Sequence, residues 1–225
     1  MQKSLFSATA LCVAVIATSA TAQMTGSRPG LFDVTAIQGW SQIPATDPSV
    51  RQWAHNASAT SAGTNCNIVT TAVPVSNDDY QAIFRSISEA ELLGQMRAAG
   101  GSDFTEISPV QSFDFDGTDA FRLTSRFSYQ GVNLTAIQAQ AVISGNAISV
   151  TCGTVEAAVG QLLPTLERFI DTIRFGSGFV SAKIEREPGA DYPALLPAGN
   201  PDNAGVAMTL SQKSLDLFAE RAIAE

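Results

Sequence analysis

Between Val110 and Gly153 the chain is punctuated at regular intervals. Gly117, Gly131 and Gly145 sit in the pairs Asp116-Gly117, Gln130-Gly131 and Gly145-Asn146, between runs in which apolar and polar residues alternate. Such pairs favour tight turns, and a period of two is the mark of a half-buried strand. The stretch therefore predicts a four-stranded antiparallel meander, around which the remaining segments must pack.

Alignment of the strands follows from the loops, because a slip of one residue moves every side chain to the other face. With an odd number of residues in the loops at Gly117 and Gly131, Phe113 faces Phe121, Leu123 faces Ala139 and Phe127 faces Thr135. With a two-residue Gly145-Asn146 turn, Ile143 faces Ile148 and Ala141 faces Val150. One face then gathers Phe113, Phe121, Leu123, Phe127, Tyr129, Ile137, Ala139, Ile143, Ile148, Val150 and Cys152. The opposite face carries Arg122, Thr124, Arg126, Ser128, Gln138, Gln140, Ser149 and Thr151, with Leu134 and Val142 as apolar exceptions. One greasy and one polar side is the pattern of an antiparallel sheet that covers a core on one face only.

Residues 1–22 have a Lys near the amino end, an apolar run from Leu11 to Ala17 and a small-residue Ala20-Thr21-Ala22 site. These are the three parts of a secretory signal peptide, whose apolar run is too short to stay as a membrane span. Cys12 follows the bulky Leu11 and reads as part of that run rather than as a lipid-attachment cysteine. Without Lys3 the 13 basic side chains become 12 against 21 acidic ones, a net charge of −9 that repels nucleic acid and anionic lipid. Two cysteines remain, Cys66 and Cys152. In an oxidising compartment they read as a disulfide.

Along the mature chain, Leu31–Ile37 and Asn65–Val73 read as strands, and 41–63 as a long connection with His55 in a surface loop. Ser76 caps a helix that carries Asp78 and Asp79 in its first turn and the stripe Tyr80, Ile83, Phe84, Ile87. Ser88-Glu89-Ala90-Glu91 restarts or kinks it as a capping box, and Gly100-Gly101 stops it. Thr154 caps a second helical region with the stripe Leu162, Leu166, Phe169, Ile170, Ile173. The globular domain spans 23–176. Residues 177–225 read as a flexible linker, rich in Pro, Gly, Asn and Asp, with a short terminal helix over 209–222.

The order of these segments resembles the PsbP-like α/β/α sandwich superfamily, which includes DcrB-like periplasmic proteins. The resemblance rests on Ile37-Gln38-Gly39-Trp40, on Phe115-Asp116-Gly117-Thr118-Asp119-Ala120 and on Phe169-Ile170-Asp171-Thr172-Ile173-Arg174-Phe175. It implies an α+β fold, an antiparallel meander sheet packed with helices, and a binding or assembly role without catalysis. The family shares no active-site motif that could be carried over.

The residues themselves also point away from catalysis and from cofactors. Nucleophilic mechanisms of the Ser-His or Cys-His kind require a base beside the nucleophile, and the chain has one His and no Gly-x-Ser-x-Gly elbow. One His and two bridged cysteines make a poor zinc site. Asp114, Asp116 and Asp119 form a weak calcium candidate, since Asp-Gly at a hairpin tip is ordinary turn chemistry. The polar face, above all Arg122, Thr124, Arg126, Gln138, Gln140 and Thr151, is the candidate platform for an acidic or extended protein partner, and reads otherwise as a solvated sheet face or one covered by another helix. The expectation is an exported, soluble, non-catalytic binding or accessory protein of the bacterial envelope. A small-molecule or lipid-binding protein with a cavity between sheet and helices is the alternative, and a carboxylate-based hydrolase the second.

Overall fold

Two-residue turns, rather than loops of odd length, align the central strands. At Asp116 and Gly117 φ is 51° and 81°, and at Gln130 and Gly131 it is 49° and 81°. Both central residues of each turn are thus left-handed, the type I′ geometry whose twist matches that of the flanking strands. A computed structural model describes residues 32–34, 38–56, 63–99, 102–143, 145–175 and 202–224. The signal-peptide stretch, residues 23–31 and the stretch 176–201 lie outside them.

The described strands are β1 (Phe32–Val34), β2 (Trp40–Ile43), β3 (Val50–His55), β4 (Asn65–Ala72), β5 (Asp103–Ile107), β6 (Gln111–Phe115), β7 (Thr118–Tyr129), β8 (Val132–Ile143), β9 (Asn146–Val155) and β10 (Ile173–Phe175). The helices are α1 (Asn77–Ser86), α2 (Glu89–Ala99), α3 (Val159–Asp171) and α4 (Asp202–Ala224). Eight strands form one antiparallel sheet in the order β2-β3-β4-β9-β8-β7-β5, with β6 beside β5 on the same edge of β7. Strands β1 and β10 pair separately.

The even turns at 116–117 and 130–131, and a third turn one residue earlier than Gly145-Asn146, shift the alignment expected from the sequence. Phe113 pairs with Ala120, Leu123 with Gln138, Phe127 with Leu134, Ala141 with Ile148 and Ile143 with Asn146. The eleven residues expected on one face therefore divide between two. Phe121, Leu123, Phe127 and Tyr129 join Leu134, Ala136 and Val142 under α1, α2 and α4. Phe113, Ile137, Ala139, Ile143, Ile148, Val150 and Cys152 pack with Trp40, Trp53 and α3 residues Leu166, Phe169 and Ile170. The sheet is buried on both sides, in an α+β arrangement with helices on each face. That is why one-sided alternation was a poor guide to it.

Local capping was easier to read. The Ser76 Oγ accepts the Asp79 amide at 3.1 Å and donates to the Asp79 carboxylate at 2.9 Å, so it satisfies an orphan donor of α1. Replacing Ser76 with Ala is expected to cost about 1 kcal/mol in urea unfolding, a loss that Ser76→Thr, which keeps a hydroxyl able to accept and donate, largely restores. Helix α2 restarts at the Ser88 box, where the Glu91 amide reaches the Ser88 Oγ at 3.3 Å. Thr154 does not cap a helix. It lies inside β9, buried, with its hydroxyl 2.7 Å from that of Thr64. The α3 stripe includes Leu163 where Leu162 was expected. The connection over 41–63 contains the β2–β3 hairpin, which places His55 in a strand against the edge of Trp40. Burial lowers the His55 pKa.

The largest departure is at the C-terminal end. Helix α4 has 23 residues and lies on the sheet, where a short terminal helix of uncertain docking was expected. Ala207, Leu210, Ser211, Ser214, Leu215, Phe218, Ala219 and Ala222 are all buried, at alternating steps of three and one along a helical face. Of the six apolar members only three, Leu210, Leu215 and Phe218, are large enough to stand out. Ser211 and Ser214 interrupt the stripe, so an apolar count understates it.

Candidate functional site

The polar side chains of β4, β8 and β9 face α4, and six side-chain hydrogen bonds join them to it. Asn65, Asn67, Gln138 and Thr151 are all 0 or 1% exposed. Three amides reach main-chain carbonyls on successive turns of the helix. Gln138 donates to the Ser211 carbonyl at 3.1 Å, Asn67 to that of Ser214 at 2.9 Å and Asn65 to that of Phe218 at 3.2 Å. The serines reply: Ser211 Oγ donates to the Gln138 carbonyl oxygen at 3.1 Å and Ser214 Oγ to that of Asn67 at 2.7 Å. Since Ser214 gives its proton to Asn67, the 2.7 Å contact with Thr151 is one in which Thr151 donates. Burying these groups without partners would cost about 1–3 kcal/mol each. The helix supplies partners for all of them but Asn65 Oδ1, which has none among the described residues.

Close backbone approach makes room for it. A Cβ on Gly153 would lie 2.4 Å from Phe218 Cζ and 2.5 Å from the Thr135 carbonyl oxygen. Only glycine fits there. Helix α1 completes the face: Tyr80 Oη donates to Gln140 Oε1 at 2.6 Å, and Gln81 Nε2 to the Gln140 carbonyl at 3.2 Å. Burial pushes the Tyr80 pKa up.

The expected partner platform is thereby divided. Gln138, Gln140 and Thr151 are covered by the chain's own helices, with Gln138 paired to Thr151 and Gln140 to Ser149. Arg122, Thr124 and Arg126 stand on the other face, opposite Ala139, Ile137 and Thr135. Their environment is acidic. Arg126 pairs with Glu106 at 2.8 Å and Glu156 at 3.5 Å, and Arg122 reaches Glu167 at 3.9 Å and stacks over Phe113. The six residues do not form one surface, because the even turns place each β7 residue opposite a β8 neighbour one position away from the one expected.

Cys66 and Cys152 are bonded to each other as directly opposed residues of β4 and β9. Both are fully buried, beneath Trp53, the β3 partner of Cys66. The three aspartates of the calcium candidate have separate tasks. Asp114 accepts the Gly117 amide at 3.0 Å, Asp116 accepts the Phe175 amide at 2.7 Å and meets Arg174, and Asp119 pairs with Arg85 at 2.7 Å. Among the described residues no three His, Cys, Asp or Glu side chains converge as a cation site.

Helix α4 is also tied to the β2–β3 turn. Asp47 accepts from Lys213 Nζ at 2.8 Å and from the Ser49 amide and hydroxyl at 2.8 and 2.6 Å. Burial pushes its pKa up, but these hydrogen bonds outweigh it and hold the carboxyl down at about 2, against an ordinary 3.8. A depressed carboxyl stabilises the fold above its ordinary pKa and loses that contribution as pH falls through the folded value. Unfolding titrations should therefore show stability declining from pH 4 toward pH 2, and Asp47→Asn should flatten that step.

Sequence reasoning also missed a groove of about 630 Å³ on the outer side of α4, lined by Ala99, Met208, Leu217, Gln212, Asp216 and Glu220 among others. Desolvation, helped by the Glu220 charge, raises the Asp216 pKa, against the hydrogen bond from Gln212. Among the described residues no helix is long and apolar enough to cross a membrane.

No protein-family profile matches the chain, and no curated protein does. Solved structures do. LpqN, involved in cell envelope biogenesis of Mycobacterium tuberculosis, is 14% identical over 66% of this chain and 86% of its own, with a TM-score of 0.44. Cyanobacterial PsbP from Synechocystis sp. PCC 6803 is 11% identical over 68% and 91%, with a TM-score of 0.43. A variant of the protein Mog1 is 7% identical over 68% and 95%, also at 0.43. The chain is similar to LpqN and PsbP at these low identities.

Proposed function

We propose that the chain is an exported, non-catalytic binding or accessory protein of the bacterial cell envelope. The buried Cys66–Cys152 disulfide carries this reading, because such bonds persist in oxidising compartments while cytosolic thiols are kept reduced. The leader-like residues 1–22 agree with it. Fractionation of a native host tests it: the mature chain, beginning at Gln23, is expected in the periplasm with both thiols protected from alkylation. A cytosolic chain with two alkylatable thiols contradicts it.

Partner binding then falls to accessible surface. The strip of Arg122, Thr124 and Arg126 is one such part, although Glu106, Glu156 and Glu167 already engage its arginines. Crosslinking in the periplasm with Arg122→Ala plus Arg126→Ala examines it; unchanged recovery of partners removes the strip from the binding surface. The 630 Å³ groove is lined by α4 and Ala99 rather than by the meander, so it is not the cavity between sheet and helices that a lipid carrier would use.

A further inference from the structure

We propose that the groove along α4 docks a cationic, amphipathic segment of a protein partner. This rests on the binding-protein reading above and gives it a surface. Ala99, Met208 and Leu217 supply an apolar floor. Beside it Gln212, Asp216 and Glu220 stand at i, i+4 and i+8, a row about 12 Å long at the rise of an α-helix. This row offers acceptors. Gln212 Nε2 donates to Asp216 Oδ1 at 2.7 Å, which leaves Gln212 Oε1 buried without a donor among the described residues. Lys213, the basic residue at the groove, is held at 2.8 Å by Asp47.

A half-buried carboxylate, a second carboxylate one turn on and an unmatched carbonyl oxygen are together met by ammonium or guanidinium donors. The apolar floor calls for aliphatic side chains one turn away from those charges, as when a helix lies in a groove. Charge also selects among occupants. The chain's own net charge is −8, so a second copy brings repulsion to an acidic row, as does an anionic lipid surface.

The test uses the intact mature chain and a fluorescent peptide carrying leucine and lysine at helical spacing, with a glutamate-for-lysine version as its counterpart, read by anisotropy at physiological salt. The lysine peptide is expected to bind and the glutamate peptide not. Asp216→Asn plus Glu220→Gln should weaken binding about tenfold or more, as removal of close charge pairs does. Asp114→Asn plus Asp171→Asn, away from the groove, should leave it unchanged. Equal binding of both peptides, equal loss in both double variants, or concentration-dependent self-association abolished by the groove variant overturns the proposal. So does failure of the lysine peptide to bind. In that case periplasmic crosslinks that persist leave the binding-protein reading standing, and their absence removes it as well.

Discussion

Replacing both Cys66 and Cys152 with alanine is expected to lower the stability of the folded chain by about 4 to 5 kcal/mol on loop-closure entropy, with the lower part of a 2–5 kcal/mol range as the floor. The bond closes a loop of 86 residues, which includes α1, α2 and most of the meander. Opening it returns that loop's freedom to the unfolded chain alone. It also removes two sulfurs from a site that is 0% exposed, beneath Trp53, Ile68 and Val150. Urea unfolding under non-reducing conditions should therefore move to a markedly lower midpoint. The parent measured with reductant should approach the variant only once it unfolds, since the folded chain shields the bond. A loss below about 1 kcal/mol would mean that the two strands are held in place by something other than this link.

Phe218→Ala should cost about 3–5 kcal/mol, the range for a large aromatic ring removed from a closed core. Phe218 is fully buried between α4 and the sheet, edge-on to Phe127 at 6.1 Å. Gly153→Ala attacks the same contact from the other side and should cost about 1–3 kcal/mol as overpacking. The two changes together give a sharper test. Removing the ring clears one of the two obstacles to a Cβ at position 153, but the Thr135 carbonyl oxygen at 2.5 Å remains. The Gly153→Ala penalty should therefore shrink in the Phe218→Ala background without vanishing. Thermal unfolding of the four chains measures this directly.

What the sequence disclosed, and what it hid, divides along physical lines. The turns at Asp116-Gly117 and Gln130-Gly131 and the helix starts at Ser76 and Ser88 were legible, because Asp-Gly, Gln-Gly and a serine cap act through their own backbone, while Asn146 and Thr154 proved to lie within a strand. Cys66 and Cys152 could be paired from compartment and number alone. Strand alignment was not legible, since it depends on whether a loop holds two residues or three, and Gln130-Gly131 reads equally well either way. Once that parity changes, Gln138 and Gln140 part from Arg122 and Arg126. The helix over 202–224 was understated because Ser211 and Ser214 occupy positions where an apolar residue would have declared the stripe. Their hydroxyls matter only against Gln138 and Asn67, which come from distant strands. Polar residues on a strand thus suggested solvent where the fold supplies a helix.

The central claim is that α4 occupies the polar face of the sheet as part of the core. Hydrogen exchange on the intact mature chain, followed residue by residue, tests it most directly. Amides of 210–219 are predicted to exchange as slowly as those of β8 and β9, and to lose protection together with them. Exchange of 210–219 within seconds, while Gln138 and Thr151 stay protected, would contradict it.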